Sequence, residues 1–136
     1  MKISHIEHLG IAVSSIDAAL PYFEEVLGLK CYKQEVVEDQ KVKTAFIMVG
    51  QTKIELLEPT SPESTIAKFI ENNGGKGGMH HLALAVEDGV NAALAECEAK
   101  GVRLIYKATR PGADGKMIAF LHPKSTAGVL TELCEG

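Results

Sequence analysis

The sequence predicts an α+β fold of two tandem βαβββ modules, whose strands pair into a curved, eight-stranded open barrel. Three observations predict it. The segment His8-Leu9-Gly10-Ile11-Ala12-Val13 returns seventy-three residues later as His81-Leu82-Ala83-Leu84-Ala85-Val86, keeping His, Leu, Ala and Val. Each copy runs through a polar stop into an alanine-rich helical pattern that closes on a glycine, Gly28 or Gly101. Each half ends on Glu-Leu-x-Glu, as Glu55-Leu56-Leu57-Glu58 and Glu132-Leu133-Cys134-Glu135, so the register of the repeat survives a whole half-chain. One domain then covers 1–136, with module 1 at about 3–59, a linking helix and glycine loop at about 60–78, and module 2 at about 79–136.

The elements follow in order. Residues 3–13 and 79–86 alternate and are rich in Ile, Leu and Val, the pattern of half-buried strands. After the first, Asp17 is expected to cap a helix with an apolar stripe of Ala19, Leu20, Phe23, Val26 and Leu27, ending at Gly28, with Pro21 in the first turn. Asp88 is expected to open the second helix, whose stripe is Val90, Ala93, Leu94 and Cys97. Three extended stretches complete each half: Lys30–Glu38, Lys43–Val49 and Thr52–Leu57, then Arg103–Tyr106, Met117–Leu121 and Gly128–Leu133. Gly50-Gln51 and Gly112-Ala113-Asp114-Gly115 supply turns. Between the halves, Ser61-Pro62-Glu63 is expected to open a short helix with Pro62 at its first position and Ile66, Ala67, Phe69 and Ile70 along it. The run Asn72–Gly78 lacks the spacing and Lys-Ser/Thr of a phosphate-binding loop and reads as a flexible link.

Composition narrows the class. A chain of 136 residues holds one domain, and 46% hydrophobic with 24% charged residues excludes disordered and fibrous classes. A net charge of −4 without a basic run excludes nucleic acid as a partner. No apolar stretch approaches bilayer length and no signal-like segment opens the sequence, so a cytoplasmic protein without membrane contact is expected. Cys31, Cys97 and Cys134, odd in number and widely spaced, suit a reducing compartment and read as small buried or half-buried hydrophobes.

The chemistry lies in the repeated polar residues. Residues two apart share a strand face, so His8 stands with Gly10 and Ala12, and His81 with Ala83 and Ala85. The histidine face is hollow in both copies, while Leu9, Ile11 and Val13, or Leu82, Leu84 and Val86, form the face a helix would bury. If the modules sit about a pseudo-twofold axis, His8 and His81 become equivalent, as do Glu55 and Glu132, and four ligands converge on a metal cleft in the barrel. Two imidazoles and two carboxylates suit Co²⁺, Ni²⁺, Mn²⁺, Fe²⁺ or Zn²⁺ and leave room for water or substrate oxygens. His80 points to the opposite face, and His5 and His122 have no repeat partner.

This duplication with His8, Glu55, His81 and Glu132 resembles the vicinal oxygen chelate superfamily, which includes glyoxalase I, extradiol dioxygenases and bleomycin-resistance proteins. The match covers the whole chain. Within the superfamily, Lys53–Pro59 with Glu63–Phe69, Met79-His80-His81, and Phe120–Ser125 leading into Gly128–Leu133 resemble methylmalonyl-CoA epimerases. The resemblance implies the four metal positions, one divalent ion per site with Co²⁺ favoured, an acyl-CoA thioester substrate and a homodimer. It implies inversion at the α-carbon of a 2-methylmalonyl thioester through an enolate, which takes two acid/base groups and an electrophile.

One family feature is changed. Where the epimerases place a glutamine ligand and a separate glutamate base, this sequence has Glu55 and Thr44. Glu55 and Glu132 are therefore expected to act as the two catalytic bases, with Glu38 in reserve. Lys124, Ser125, Lys116 and Thr44 are the expected substrate contacts, with Arg110 and Lys76 as further loop cations for the CoA phosphates. A glyoxalase I-type lactoylglutathione lyase is the nearest alternative, since it shares the His/Glu/His/Glu set. A metal-free small-molecule-binding module of the same fold is the alternative from another class.

Overall fold

A computed structural model describes residues 1–136. The chain forms β1 (Ile3–Ala12), α1 (Ile16–Pro21), β2 (Cys31–Val37), β3 (Val42–Val49), β4 (Thr52–Pro59), α2 (Thr65–Asn72), β5 (Gly78–Val86), α3 (Val90–Ala99), β6 (Arg110–Pro111), β7 (Met117–Leu121) and β8 (Thr131–Glu135). The fold class is α+β with eight strands, as the repeat predicts. Two compact units divide it: a central unit, Leu9–His80, and a terminal unit made of Met1–His8 with His81–Gly136.

In the central unit the ladder order is β2-β3-β4-β1. The β3–β4 hairpin is in register from Val42 opposite Pro59 to Val49 opposite Thr52, which leaves Gly50-Gln51 as its two-residue turn. One face of this ladder buries Ile16, Ala45, Ile47 and Leu56, with Ile11, Val13, Ala19, Leu20 and Phe23 packed against them. This is the helix-covered face that alternation along β1 predicts.

Helix α1 departs from expectation in two ways. Its N-cap is Ser15, whose Oγ accepts the Ala18 N–H at 3.2 Å, so Asp17 lies inside the first turn. Pro21 falls late in the helix, where its missing N–H leaves the Asp17 carbonyl without the usual partner. The chain widens there into a π-helical turn over Tyr22–Val26, with the Leu27 N–H bonded to the Tyr22 carbonyl. Ala19, Leu20 and Phe23 of the expected stripe pack on the core, but past the change of period its end turns outward, with Val26 72% exposed and Leu27 47% exposed. Helix α2 starts later than Pro62 because Ser64 caps it, accepting the Ile66 N–H. Its Ile66, Phe69 and Ile70 pack on Ala12, Val42 and Leu57.

In the terminal unit the order is β1-β5-β8-β7-β6. β5 runs parallel to β8 from Leu82 opposite Thr131 to Val86 opposite Glu135, and β7 runs antiparallel to β8. The predicted α3 stripe of Val90, Ala93, Leu94 and Cys97 packs on Val86, Ala119, Leu121 and Leu133. Its start is not capped by Asp88; Gly89 occupies that position without a side-chain bond. The predicted strand over Arg103–Tyr106 reduces to one isolated bridge, Leu104 to Leu121. Ladder pairing resumes only at Arg110–Pro111, with the Arg110 guanidinium stacked 3.8 Å from the Tyr106 ring. β8 opens at Thr131 rather than Gly128, because Ala127 and Gly128 take left-handed φ values of 58° and 82° in the preceding turn.

Candidate metal centre

The β-ladder of the terminal unit sets one row of side chains. Glu132 on β8 is opposite Ala83 on β5 and Phe120 on β7, so one small and one aromatic neighbour flank the carboxylate. His81, two residues before Ala83, shares that face. The Phe120 ring meets the His81 ring edge-on at 5.6 Å. His8 near the middle of β1 completes the group, its Nε2 3.0 Å from His81 Nε2 with the two rings at 87°.

Glu132 faces both imidazoles. Its Oε1 is 3.3 Å from His81 Nε2 and its Oε2 is 3.6 Å from His8 Nε2. All three side chains are buried, and Glu132 Oε2 is enclosed without a hydrogen-bond partner. Leaving such an oxygen unsatisfied costs about 1–3 kcal/mol or more for a charged group. One donor atom from each of His8, His81 and Glu132 lies within 4.8 Å of the others. Two neutral imidazole nitrogens and a carboxylate with an unused lone pair form a donor set that can hold a divalent cation of borderline hardness. The structure thus brings together three of the four residues singled out by the repeat.

The fourth, Glu55, lies in the central unit on β4, opposite Phe46 of β3, and is buried. The Nζ of Lys53, on the same strand face, is 3.9 Å from Glu55 Oε2 and 5.6 Å from the centre of the Phe46 ring. Thr44 stands two residues from Phe46 on this face, fully buried, with its Oγ1 lacking a partner. Glu38 is exposed in the short turn after β2.

The remaining expected contacts fall in different places. Lys124 and Ser125 occupy a 3₁₀ turn over Pro123–Ser125, in which His122 Nδ1 accepts the Lys124 N–H and Ser125 Oγ accepts the Arg103 N–H. Partial burial, with Arg103 and Lys124 nearby, holds the His122 imidazole below its usual range. Lys116 precedes β7, its Nζ 3.6 Å from Glu7 Oε2. His80 lies edge-on to Phe69 at 5.2 Å, and burial lowers its pKa to about 4.

Sequence reasoning missed Glu7. Strand alternation sends it to the face opposite His8, yet its Oε1 meets His8 Nδ1 at 2.5 Å in a buried setting. The signal available was an acidic residue immediately before the first repeated histidine, with no counterpart before the second, where His80 stands.

A βαβββ duplication with a buried imidazole and carboxylate cluster defines a class before any particular relative is considered. Residues 7–120 match the Glyoxalase/Bleomycin resistance protein/Dioxygenase superfamily, and the chain belongs to it. Within that superfamily its relatives include methylmalonyl-CoA epimerases. The mitochondrial methylmalonyl-CoA epimerase of Homo sapiens is 36% identical over 132 residues, spanning 97% of this chain and 74% of that protein. The uncharacterized protein YqjC of Bacillus subtilis is 43% identical over 133 residues, spanning 98% of this chain and 93% of that one. A variant of Streptomyces coelicolor methylmalonyl-CoA epimerase, solved in complex with 2-nitronate-propionyl-CoA, superposes with a TM-score of 0.92 at 36% identity, covering 99% of this chain and 96% of that one. No helix is long and apolar enough to cross a membrane.

Proposed function

We propose that this chain interconverts (2R)- and (2S)-methylmalonyl-CoA by removing the α-proton from one face and returning a proton to the other. The observation that carries the proposal is Glu132, a buried carboxylate set against two facing imidazoles with one oxygen unpartnered. Its homology to methylmalonyl-CoA epimerases supports the choice of substrate.

His8, His81 and Glu132 are the proposed holders of a divalent ion, with Co²⁺ favoured among Co²⁺, Ni²⁺, Mn²⁺, Fe²⁺ and Zn²⁺. Glu55 joins them through the internal repeat, being to the first half what Glu132 is to the second. A bound ion would supply Lewis-acid stabilisation of negative charge developing on the substrate oxygens. The chain itself moves the proton. Glu132 Oε2, with no hydrogen bond to break, is the oxygen proposed to take or deliver it on one face. Glu55 is the proposed partner for the other face, since inversion through a planar enolate takes an acid/base group on each side.

Burial of the cluster keeps competing water away and lets these few charges act in a poorly screening medium. Thr44, Lys116, Lys124 and Ser125 are the proposed contacts to the thioester and its CoA. The proposed working form is a homodimer, which sedimentation velocity checks directly.

The test is hydrogen-to-deuterium exchange at the α-carbon of each epimer in D₂O, followed by NMR, with protein stripped of metal and then restored with Co²⁺. Restored protein is expected to exchange and epimerise both. Absence of exchange with metal uptake confirmed would sink the epimerase reading, and exchange equally fast in stripped protein would sink the role of the ion.

A further inference from the structure

We propose that Glu7 is a positioning residue for this centre: its carboxylate takes the Nδ1 hydrogen of His8 and so fixes which imidazole nitrogen faces His81 and Glu132. The contact is Oε1 to Nδ1 at 2.5 Å, between side chains that are 7% and 6% exposed. The second carboxylate oxygen lies 3.6 Å from Lys116 Nζ, so a cation offsets the charge of the buried acid.

The direction of the hydrogen follows from the donor inventory. An ionised carboxylate accepts and cannot donate, so the shared hydrogen sits on His8 Nδ1. A neutral imidazole carries a single ring hydrogen, which leaves Nε2 as a bare lone pair. That nitrogen is the one 3.0 Å from His81 Nε2 and 3.6 Å from Glu132 Oε2. Two lone pairs would repel at 3.0 Å, so without a cation His81 carries its hydrogen on Nε2, where it faces His8 Nε2 at 3.0 Å and Glu132 Oε1 at 3.3 Å. The His81 hydrogen thus lies toward His8 and Glu132, and the His8 hydrogen toward Glu7. To present two nitrogen lone pairs to a cation, only His81 has to move its hydrogen; His8 is already set.

Glu7 therefore does for His8 what outer carboxylates do for ligating histidines in general, orienting the ring and raising its basicity. The purpose assigned to this arrangement rests on the metal reading given above, whereas the tautomer itself does not.

The test uses uniformly ¹⁵N-labelled, metal-free protein and long-range ¹H–¹⁵N correlation spectra of the imidazoles, with Co²⁺ affinity measured separately by calorimetry. In the native protein His8 is expected as the Nδ1–H tautomer with an unprotonated Nε2. Glu7→Met, which keeps the bulk and removes the acceptor, is expected to lose that tautomer and weaken Co²⁺ binding by about 10- to 100-fold. Glu7→Gln, whose amide oxygen can accept the same hydrogen, is expected to restore the tautomer and most of the affinity. A native His8 carrying hydrogen on Nε2 overturns the proposal, and so does a Glu7→Met protein with tautomer and affinity unchanged. Should Glu7→Met fail to fold, the native tautomer alone decides. Native protein that shows the expected tautomer but takes up no Co²⁺ overturns the metal reading and leaves the tautomer assignment intact.

Discussion

Gly77 sits at the end of the glycine-rich run that joins α2 to β5, where sequence alone suggests only slack. A Cβ built at Gly77 would lie 2.1 Å from the Ala12 carbonyl oxygen, 3.1 Å from Ala12 C and 3.3 Å from Val13 Cα. The obstacle is backbone at the end of β1, which cannot turn aside as a side chain would. Gly77→Ala therefore forces one of the two segments to shift by about 1 Å to regain van der Waals separation. Overpacking of this kind costs about 1–3 kcal/mol. If β1 gives way, the bond from the Val13 N–H to the Leu57 carbonyl, 2.9 Å long, is strained as well. Its loss would add about 0.5–1.5 kcal/mol. The stiffer unfolded chain returns about 0.4–1 kcal/mol. The net is a loss of about 2 kcal/mol, which for a chain of this length lowers Tm by about 5–10 °C. Urea unfolding followed by circular dichroism, with Lys76→Ala as an exposed neighbouring control, measures it. A Gly77→Ala protein within about 0.5 kcal/mol of the native one, the range of ordinary surface substitutions, would refute the reasoning.

Three further outcomes follow from the same structure. Glu132→Gln is expected to remain folded and lose about 10²- to 10⁴-fold in α-proton exchange from one epimer, while Glu55→Gln should lose it from the other; retained metal with near-native exchange from both epimers in Glu55→Gln would remove Glu55 from the base role. Cys31 is half-buried, whereas Cys97 and Cys134 are buried and burial pushes the Cys97 thiol up, so a thiol reagent should modify Cys31 in the native protein and the other two only on unfolding, as mass spectrometry of timed samples will show. The hydrogen bond from Lys41 Nζ to Glu63 Oε2 holds the Glu63 carboxyl below its ordinary value, so this link stabilises the native chain above the ordinary carboxylate range and fades as pH falls through the lowered value. A ¹³C titration of that carboxyl should show the lowered midpoint, which moves back up in Lys41→Met.

Much of the fold was legible because the repeat records it twice. Strand alternation in residues 3–13 and 79–86 correctly picked the faces covered by α1 and α3, and the α3 stripe lies where its spacing put it. Local signals failed where two of them competed. Asp17 is expected to cap α1, yet Ser15 does so through its Oγ, and Ile16, the first helical residue, is buried. Pro21, expected in a first turn, sits near a helix end, where it sets off the π turn that exposes Val26. The stretch 103–106 had strand composition but gained only one bridge, because pairing along β7 passes to Arg110–Pro111.

By itself the sequence determined the fold class, the duplicated architecture and the identity of the repeated histidines and glutamates. It could do so because period and repetition are one-dimensional properties, written along the chain. Tertiary structure alone decided that His8, His81 and Glu132 place their polar atoms within 4.8 Å of one another and leave a carboxylate oxygen unpartnered. It alone joined Glu7 to His8, against strand alternation, and pressed Gly77 onto the backbone of β1. Distances between atoms on different strands depend on ladder register and on how the backbone bends, and neither can be read from one stretch of residues.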